Sequence, residues 1–184
     1  MTLPQQVSAA LVSSPDELTF ETAPQLIRPA SDIFDVAALD RALDVALTPI
    51  SDPAKIRAET VKHLSAARKA GRTVIADAFT ADPFNSSDAT RSYAWLTDRL
   101  VTTAFRIATT VLHPLANPTE AEQLCVIAVG GYGRNEMAPH SDVDLLFLTP
   151  YKITPWAESV IESMLFFLWD LLLKVGLASR RVKD

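Results

Sequence analysis

The chain has 184 residues, 48% of them hydrophobic, and a formal net charge of −5 from 17 Lys and Arg against 22 Asp and Glu. That length and apolar content suffice for one sizeable core, so a single folded unit is the default, and an acidic balance with scattered basic residues argues against a nucleic-acid partner. The longest apolar run, Met164 to Trp169, is far too short to span a bilayer, which argues against membrane insertion.

Residues 1 to about 30 interleave Pro4, Pro15, Pro24 and Pro29 with Ser, Thr and Gln, the composition of a loosely attached lead segment. No basic residue precedes Arg28 and no sustained apolar stretch stands there, so a secretory leader is not expected. Ser31 or Asp32 is placed to cap a short helix running through Leu47, with Val36, Leu39 and Leu43 on one side and Pro49 beyond its end. Ser51 and Asp52 before Pro53 start a longer helix, in which Ile56, Leu64, Ala67, Gly71, Val74 or Ile75 and Ala78 recur at three- to four-residue spacing until Pro83. Gly71 lies on that apolar face and reads as a close helix contact. Ser87 or Asp88 caps a third helix, whose stripe of Tyr93, Leu96, Leu100, Ala104, Ile107 and Val111 runs unbroken to Pro114.

The run Leu124-Cys125-Val126-Ile127-Ala128 is β-branched, apolar and too short for a helix, so it reads as a buried strand. Cys125 is the single cysteine; it forms no internal disulfide, is expected to be a buried apolar residue, and suits a reducing, cytoplasmic setting. After a glycine turn, a second strand starts near Asp142 and continues through Leu148. Pro155, preceded by Thr154 as cap, opens a helix from about Trp156 to Val175 with Val160, Met164, Phe167, Leu168, Leu171 and Val175 as its core stripe. Leu165, Phe166, Trp169, Leu172 and Leu173 make this helix apolar almost all round, so it needs cover on most sides.

The two strands carry the chemistry. Strand side chains alternate between faces, so Asp142 and Asp144 point one way while Val143 and Leu145 point the other. Two like charges that close ask for a cation between them, and hard oxygen ligands on a strand suit Mg²⁺, which takes one or two carboxylates together with phosphate oxygens and water. Gly130 and Gly131 allow a sharp turn and a close backbone approach to an anion. A lone Asp-x-Asp is more often a solvated strand end than a metal site, and a Gly-Gly pair is usually only a turn. Here the glycine pair closes one strand and the carboxylates open the next, with ten residues between Gly131 and Asp142, and that order is a nucleotidyltransferase signature. Arg134 is a candidate to add positive charge to the phosphates, with a merely solvated arginine as the equal alternative.

The segment Gly130-Gly131-Tyr132-Gly133-Arg134, followed by Glu136 and by Ala138-Pro139-His140-Ser141-Asp142-Val143-Asp144-Leu145-Leu146-Phe147-Leu148, resembles the N-terminal nucleotidyltransferase domain of the bacterial PII-protein uridylyltransferase/uridylyl-removing family, within the DNA-polymerase-β-like superfamily. The likeness covers roughly Lys69 to Val182 and includes Ser92-Tyr93-Ala94-Trp95-Leu96-Thr97-Asp98 and Leu168-Trp169-Asp170-Leu171. Three departures stand out: Asn135 replaces a usual glycine, Gly176-Leu177 stands where the family has Gly-His, and Arg181-Val182-Lys183-Asp184 replaces an acidic continuation.

The resemblance implies an α+β fold, with N-terminal helices followed by an incomplete nucleotidyltransferase core of two strands and one long buried helix. Residues 1–50 form a variable, partly disordered lead segment and 51–184 the helical region with the partial transferase domain. The implied reaction is Mg²⁺-dependent transfer of UMP from UTP to a tyrosine of the PII protein, with pyrophosphate leaving. Asp142 and Asp144 are the expected catalytic and metal-binding carboxylates, and Gly130, Gly131, Arg134 and Ser141 the nucleotide contacts. The family's third carboxylate, its HD hydrolase domain and its ACT domains are expected to be absent, and His63, His113 and His140 make no doublet for a hydrolase. The alternatives are a C-terminally truncated, inactive fragment serving as a nucleotide-binding or interaction module, and an adenylyltransferase acting on another acceptor.

Overall fold

A short helical break near the start sets how the helices stack. A computed structural model describes residues 25–181; the proline-rich stretch up to residue 24 and the final three residues lie outside the described residues. Helix α1 (Ala30–Ile33) and helix α2 (Val36–Leu47) stand where one helix was expected. The chain leaves helical geometry at Phe34, with φ −159° and ψ 107°, because this ring is buried edge-on against Trp95, with ring centroids 6.4 Å apart. The cap of α2 is therefore Asp35, which accepts a hydrogen bond from Ala38 N–H at 2.8 Å, rather than Ser31 or Asp32. Leu39, Leu43 and Leu47 are buried in the common core while Val36 is exposed, so the described part of residues 25–50 packs into the same core as the helices that follow.

Helix α3 (Pro53–Ala81) starts as expected, with Asp52 accepting from Ala54 N–H at 2.9 Å. Its buried side carries Ile56, Leu64, Ile75 and Ala78, with Gly71 at the closest approach. A Cβ at Gly71 would lie 2.5 Å from the Ile33 carbonyl oxygen and 2.9 Å from a Leu96 methyl. Helix α4 (Ser86–Ile107) begins before either expected cap: Asn85 precedes it without a side-chain bond, and Asp88 sits inside the first turn, buried and paired with Arg91 at 3.1 Å. It also does not run unbroken to Val111. A wide π turn spans Ala108–Leu112, and the Thr109 and Thr110 hydroxyls donate to carbonyls of Phe105 and Arg106 at this point, a local competition that loosens a helical ladder.

Among the described residues the sheet has three strands, one more than expected. Strand β1 (Cys125–Ala128) runs antiparallel to β2 (Val143–Thr149), joined through a single helical turn, α5 (Gly130–Gly133). Helix α6 (Pro155–Asp170) then carries the chain to β3 (Val175–Arg181), which pairs parallel to β2 in the order β1-β2-β3. The helix ends at Asp170, not Val175, because the chain turns at Leu172 with φ 56°. Val143, Leu145, Phe147 and Thr149 point from β2 into the core, and Val160, Met164, Phe167 and Leu168 of α6 are buried with them. The opposite sheet face is open. Cys125 and Ile127 are exposed on edge strand β1, which overturns the expectation of a buried strand with a buried cysteine. Phe166 and Trp169 are also exposed, stacked edge to face with centroids 5.9 Å apart, so α6 is covered on one side only. No helix of the described residues is long and apolar enough to cross a membrane.

One polar contact locks the α5 turn onto the helices. Tyr132, only 3% exposed, donates its hydroxyl to Asp98 of α4 at 2.7 Å. Burial pushes the Asp98 carboxyl above the usual carboxylate range, opposed by this hydrogen bond and by the Arg99 charge, and burial with the neighbouring Asp98 raises the Tyr132 phenol strongly.

Two outcomes follow from this packing. Gly71→Ala forces α1 or Leu96 to move and should cost about 1–3 kcal/mol, lowering the melting temperature by roughly 2–10 °C at this chain length; an unchanged melting temperature would show that the α1–α3–α4 contact is not tight. Asp98 holds its proton more tightly folded than unfolded, so its contribution favours the native state below the unfolded carboxylate range and is lost as pH rises through the folded pKa. Asp98→Asn, which keeps an acceptor for Tyr132, should therefore raise the melting temperature relative to the parent at pH 7–8, with the difference shrinking towards pH 4. A difference that does not change with pH would contradict the assignment.

Candidate functional site

The connection from β1 to β2 is residues 129–142, and its backbone is folded by bonds that need no side chain. Glu136 N–H donates to the Gly131 carbonyl at 2.9 Å and Asn135 N–H to the Tyr132 carbonyl at 3.0 Å. Gly130 has φ 63°, a left-handed conformation open to glycine at no steric cost. Asn135 has φ 59°; asparagine tolerates this region better than most residues, so the turn keeps its form where the resembled family uses glycine. The turn faces the start of β2. Its first N–H groups, those of Gly130, Gly131 and Tyr132, have no acceptor within so short a helix.

Asp144 is the point at which the three strands meet. Val129 N–H donates to the Asp144 carbonyl at 3.0 Å on the β1 side, and Val143 N–H donates to the Lys174 carbonyl at 2.7 Å on the β3 side. Asp144 pairs in register with Gly176. A Cβ on Gly130 would lie 2.7 Å from Asp144 Oδ2, and a Cβ on Gly176 would overlap Asp144 Oδ1. The carboxylate thus stands between two bare stretches of backbone. It is half-buried, while Asp142, one residue before the strand, is exposed. Among the described residues neither carboxylate takes part in an ion pair or accepts a hydrogen bond.

The donor set fits Mg²⁺. No group of three or more His, Cys, Asp or Glu side chains suited to a metal gathers among the described residues, but two unpartnered carboxylates, Asp144 on β2 and Asp142 one residue before it, match in kind and number the one or two that Mg²⁺ takes alongside phosphate oxygens and water. The glycines on either side make room for the Asp144 carboxylate.

The remaining expected residues divide. Gly130 and Asp144 are brought into contact. Arg134 instead pairs with Glu136 at 2.9 Å, both about two-thirds exposed at 65% and 64%; such a surface pair is worth at most about 1 kcal/mol, so it yields readily to a stronger anion. Ser141 closes a turn: its hydroxyl oxygen accepts from Ala138 N–H at 2.9 Å, which leaves the hydroxyl proton available for donation. His140 is exposed beside it. Gly176 was missed as a site residue because the third strand was missed. An isolated glycine in Val175-Gly176-Leu177 is the signal for a strand that something approaches closely, and here that something is the Asp144 carboxylate. Asp98 and Tyr132, which anchor the turn, were legible only as members of two separate stretches.

Comparison with known proteins gives the setting. The model of a family described as "Glutamate-ammonia ligase adenylyltransferase" matches residues 1–169. A bifunctional uridylyltransferase/uridylyl-removing enzyme of Cereibacter sphaeroides is 56% identical over 161 residues, covering 86% of this chain and 17% of the relative. Those of Ruegeria pomeroyi and Caulobacter vibrioides are 55% and 43% identical over 83% and 88% of this chain, again 17% of each relative. The chain therefore spans about a sixth of the length of the curated relatives it matches, with 17% of each covered. No solved structure matches. These relatives bear out the resemblance carried by the Gly130–Leu148 segment, and the two sets of names agree on nucleotidyl transfer while differing in the base. The match over residues 1–169 makes the chain a member of the glutamate-ammonia ligase adenylyltransferase family, with bifunctional uridylyltransferase/uridylyl-removing enzymes among its relatives.

Proposed function

We propose that the open edge formed by Asp142, Asp144, Gly130 and Gly176 is the metal–nucleotide part of a uridylyltransferase centre, which transfers UMP from UTP to a tyrosine hydroxyl of a PII nitrogen-regulatory protein and releases pyrophosphate. The observation that carries this reading is the Asp144 carboxylate, unpartnered among the described residues and seated between two glycines whose missing side chains make room for it. The names of the relatives support a uridylyl group as the one transferred, and the PII acceptor is what the family resemblance implies. The reading adopts a DNA-polymerase-β-like core for the α+β sheet and places the reaction in the cytoplasm.

In this proposal Asp142 and Asp144 would hold Mg²⁺, which when bound would supply positive charge to the phosphates during in-line displacement at the α-phosphorus. The backbone N–H groups of Gly130 and Gly131 face the phosphate chain, and the Ser141 hydroxyl proton donates to it. Arg134 exchanges its Glu136 partner for a phosphate oxygen. β3, Val175–Arg181, carries no acidic residue, so the described residues offer two of the three carboxylates that the resembled superfamily uses. This keeps a nucleotide-binding or interaction module without turnover as the competing reading. The name of the family model keeps adenylyl transfer as a second reading, separated by base preference.

The test is calorimetric titration with UTP, ATP and CTP, with and without Mg²⁺. Mg²⁺-dependent binding that prefers UTP is expected, weakened by about 10- to 100-fold or more in Asp144→Asn, Asp142→Asn and Gly176→Ala, the last because the added methyl displaces the Asp144 carboxylate. The two Asp variants should melt no lower than the parent in the absence of metal, since each removes a repelling charge. A preference for ATP would transfer the assignment to adenylyl transfer, and equal UTP affinity in all variants would defeat it.

A further inference from the structure

Behind the Met137–Ser141 segment lies a cavity of about 220 Å³ whose polar lining is basic and neutral: Arg68 and Arg72 of α3, Tyr93 and Thr97 of α4, His140, and Lys174 from the α6–β3 turn. Arg68 and Arg72, four residues apart, share one face of α3. Desolvation by partial burial, with the like charge of Arg72 beside it, lowers the Arg68 guanidinium from its ordinary value. A carboxylate neighbour is the usual remedy, yet among the described residues none forms an ion pair with Arg68, Arg72 or Lys174. Arg72 is fixed by donating to the Pro139 carbonyl at 2.6 Å and by lying over the Tyr93 ring, 5.7 Å from its centroid. The Arg68 guanidinium donates no hydrogen bond and joins no ion pair among the described residues. A protein of net charge −5 has thus gathered three cations around one hollow without supplying a counter-charge.

We infer that this cavity binds a phosphoanion of two or more negative charges, the chemistry shared by the triphosphate tail of a nucleotide and by free pyrophosphate. Guanidinium forks match phosphate oxygens in pairs, and the Tyr93 and Thr97 hydroxyls add neutral donors. The volume, about 220 Å³, is below the roughly 300–1,000 Å³ of pockets that enclose a whole drug-sized ligand, so it suits a tail rather than a complete nucleotide. Its position fits as well. His140 and Ser141 line it immediately before Asp142, and the Lys174 carbonyl is bonded to Val143 N–H, between the two carboxylates. The choice of a nucleotide tail as the natural occupant rests on the function proposed above; the anion site itself does not.

The experiment titrates the full chain with sodium pyrophosphate in the absence of Mg²⁺, at low ionic strength, for the parent and for Arg68→Gln, Lys174→Gln and Asp144→Asn, with melting curves to confirm folding. Binding should weaken by roughly tenfold in each of the first two, the size of one charge-assisted hydrogen bond, and should not weaken in Asp144→Asn. Arg68→Lys, which keeps the charge but not the fork, should fall between. Failure of the folded parent to bind, or an affinity in both Arg68→Gln and Lys174→Gln equal to that of the parent, overturns the site. Competition between UTP and pyrophosphate identifies the occupant as a nucleotide tail. Pyrophosphate binding that depends on Arg68 and Lys174 with no UTP binding leaves the phosphoanion site standing and defeats the nucleotidyl-transfer reading instead.

Discussion

The close approach of backbone to the Asp144 carboxylate from both sides is the constraint on which the site depends. A side chain at either Gly130 or Gly176 would occupy space the carboxylate already fills, so the position of Asp144 is set by main chain rather than by flexible neighbours. This demands that β1 and β3 both be held firmly to β2. The Val129–Asp144 and Val143–Lys174 backbone bonds at 3.0 and 2.7 Å do this next to the carboxylate, and α6, buried through Val160, Met164, Phe167 and Leu168, holds the crossover that brings β3 into place. Functional geometry fixed by strands is tighter than geometry fixed by loops.

The helical layer serves the same point from the other side. Tyr132 reaches from the glycine turn into the core and ends on Asp98, so the turn cannot swing away from β2 without exposing an aromatic ring and stripping a buried carboxylate of its donor. α4 is in turn seated against α3 where Gly71 lets Leu96 and the α1 carbonyl come close. A chain of contacts therefore runs from α1 through α3 and α4 to the turn, and each link is a place where a small residue or a single hydrogen bond permits an approach that a bulkier residue would block.

Much of this was legible in the sequence where a pattern is local. Period-three and period-four apolar spacing gave α3, α4 and α6, Asp52-Pro53 and Thr154-Pro155 marked two starts correctly, and alternation placed Val143 and Leu145 inward and Asp144 on the other face. The left-handed Asn135 was also foreseeable, since few other residues accept that conformation. What escaped was non-local. Nothing in Ser31 or Asp32 reveals that Phe34 must leave the helix to meet Trp95, 61 positions later. The third strand was hidden because Val175 continued the apolar period of α6, although Leu172 had already turned the chain. Cys125 and Ile127 looked buried because strand propensity does not distinguish an edge from a centre. Arg68, Arg72 and Lys174 come from α3 and from the turn before β3, so only folding reveals them as one basic cluster.

That cluster and the carboxylates form a pair of opposite, unsatisfied charge sets on one short stretch of chain. Asp142 and Asp144 stand at one end of the 137–144 segment, while Arg68, Arg72 and Lys174 line the cavity behind it, and among the described residues no ion pair joins the two sets. Direct pairing would be the simplest way to relieve both, and a fold selected for stability alone would be expected to use it. Strand geometry prevents it: alternation aims Asp144 at the open sheet face, whereas the cavity is walled by Leu96, Leu100 and Met137, which belong to the core side. The carboxylates ask for a cation and the basic cavity for an anion, and the fold holds these two demands apart on opposite faces of β2 so that neither set cancels the other.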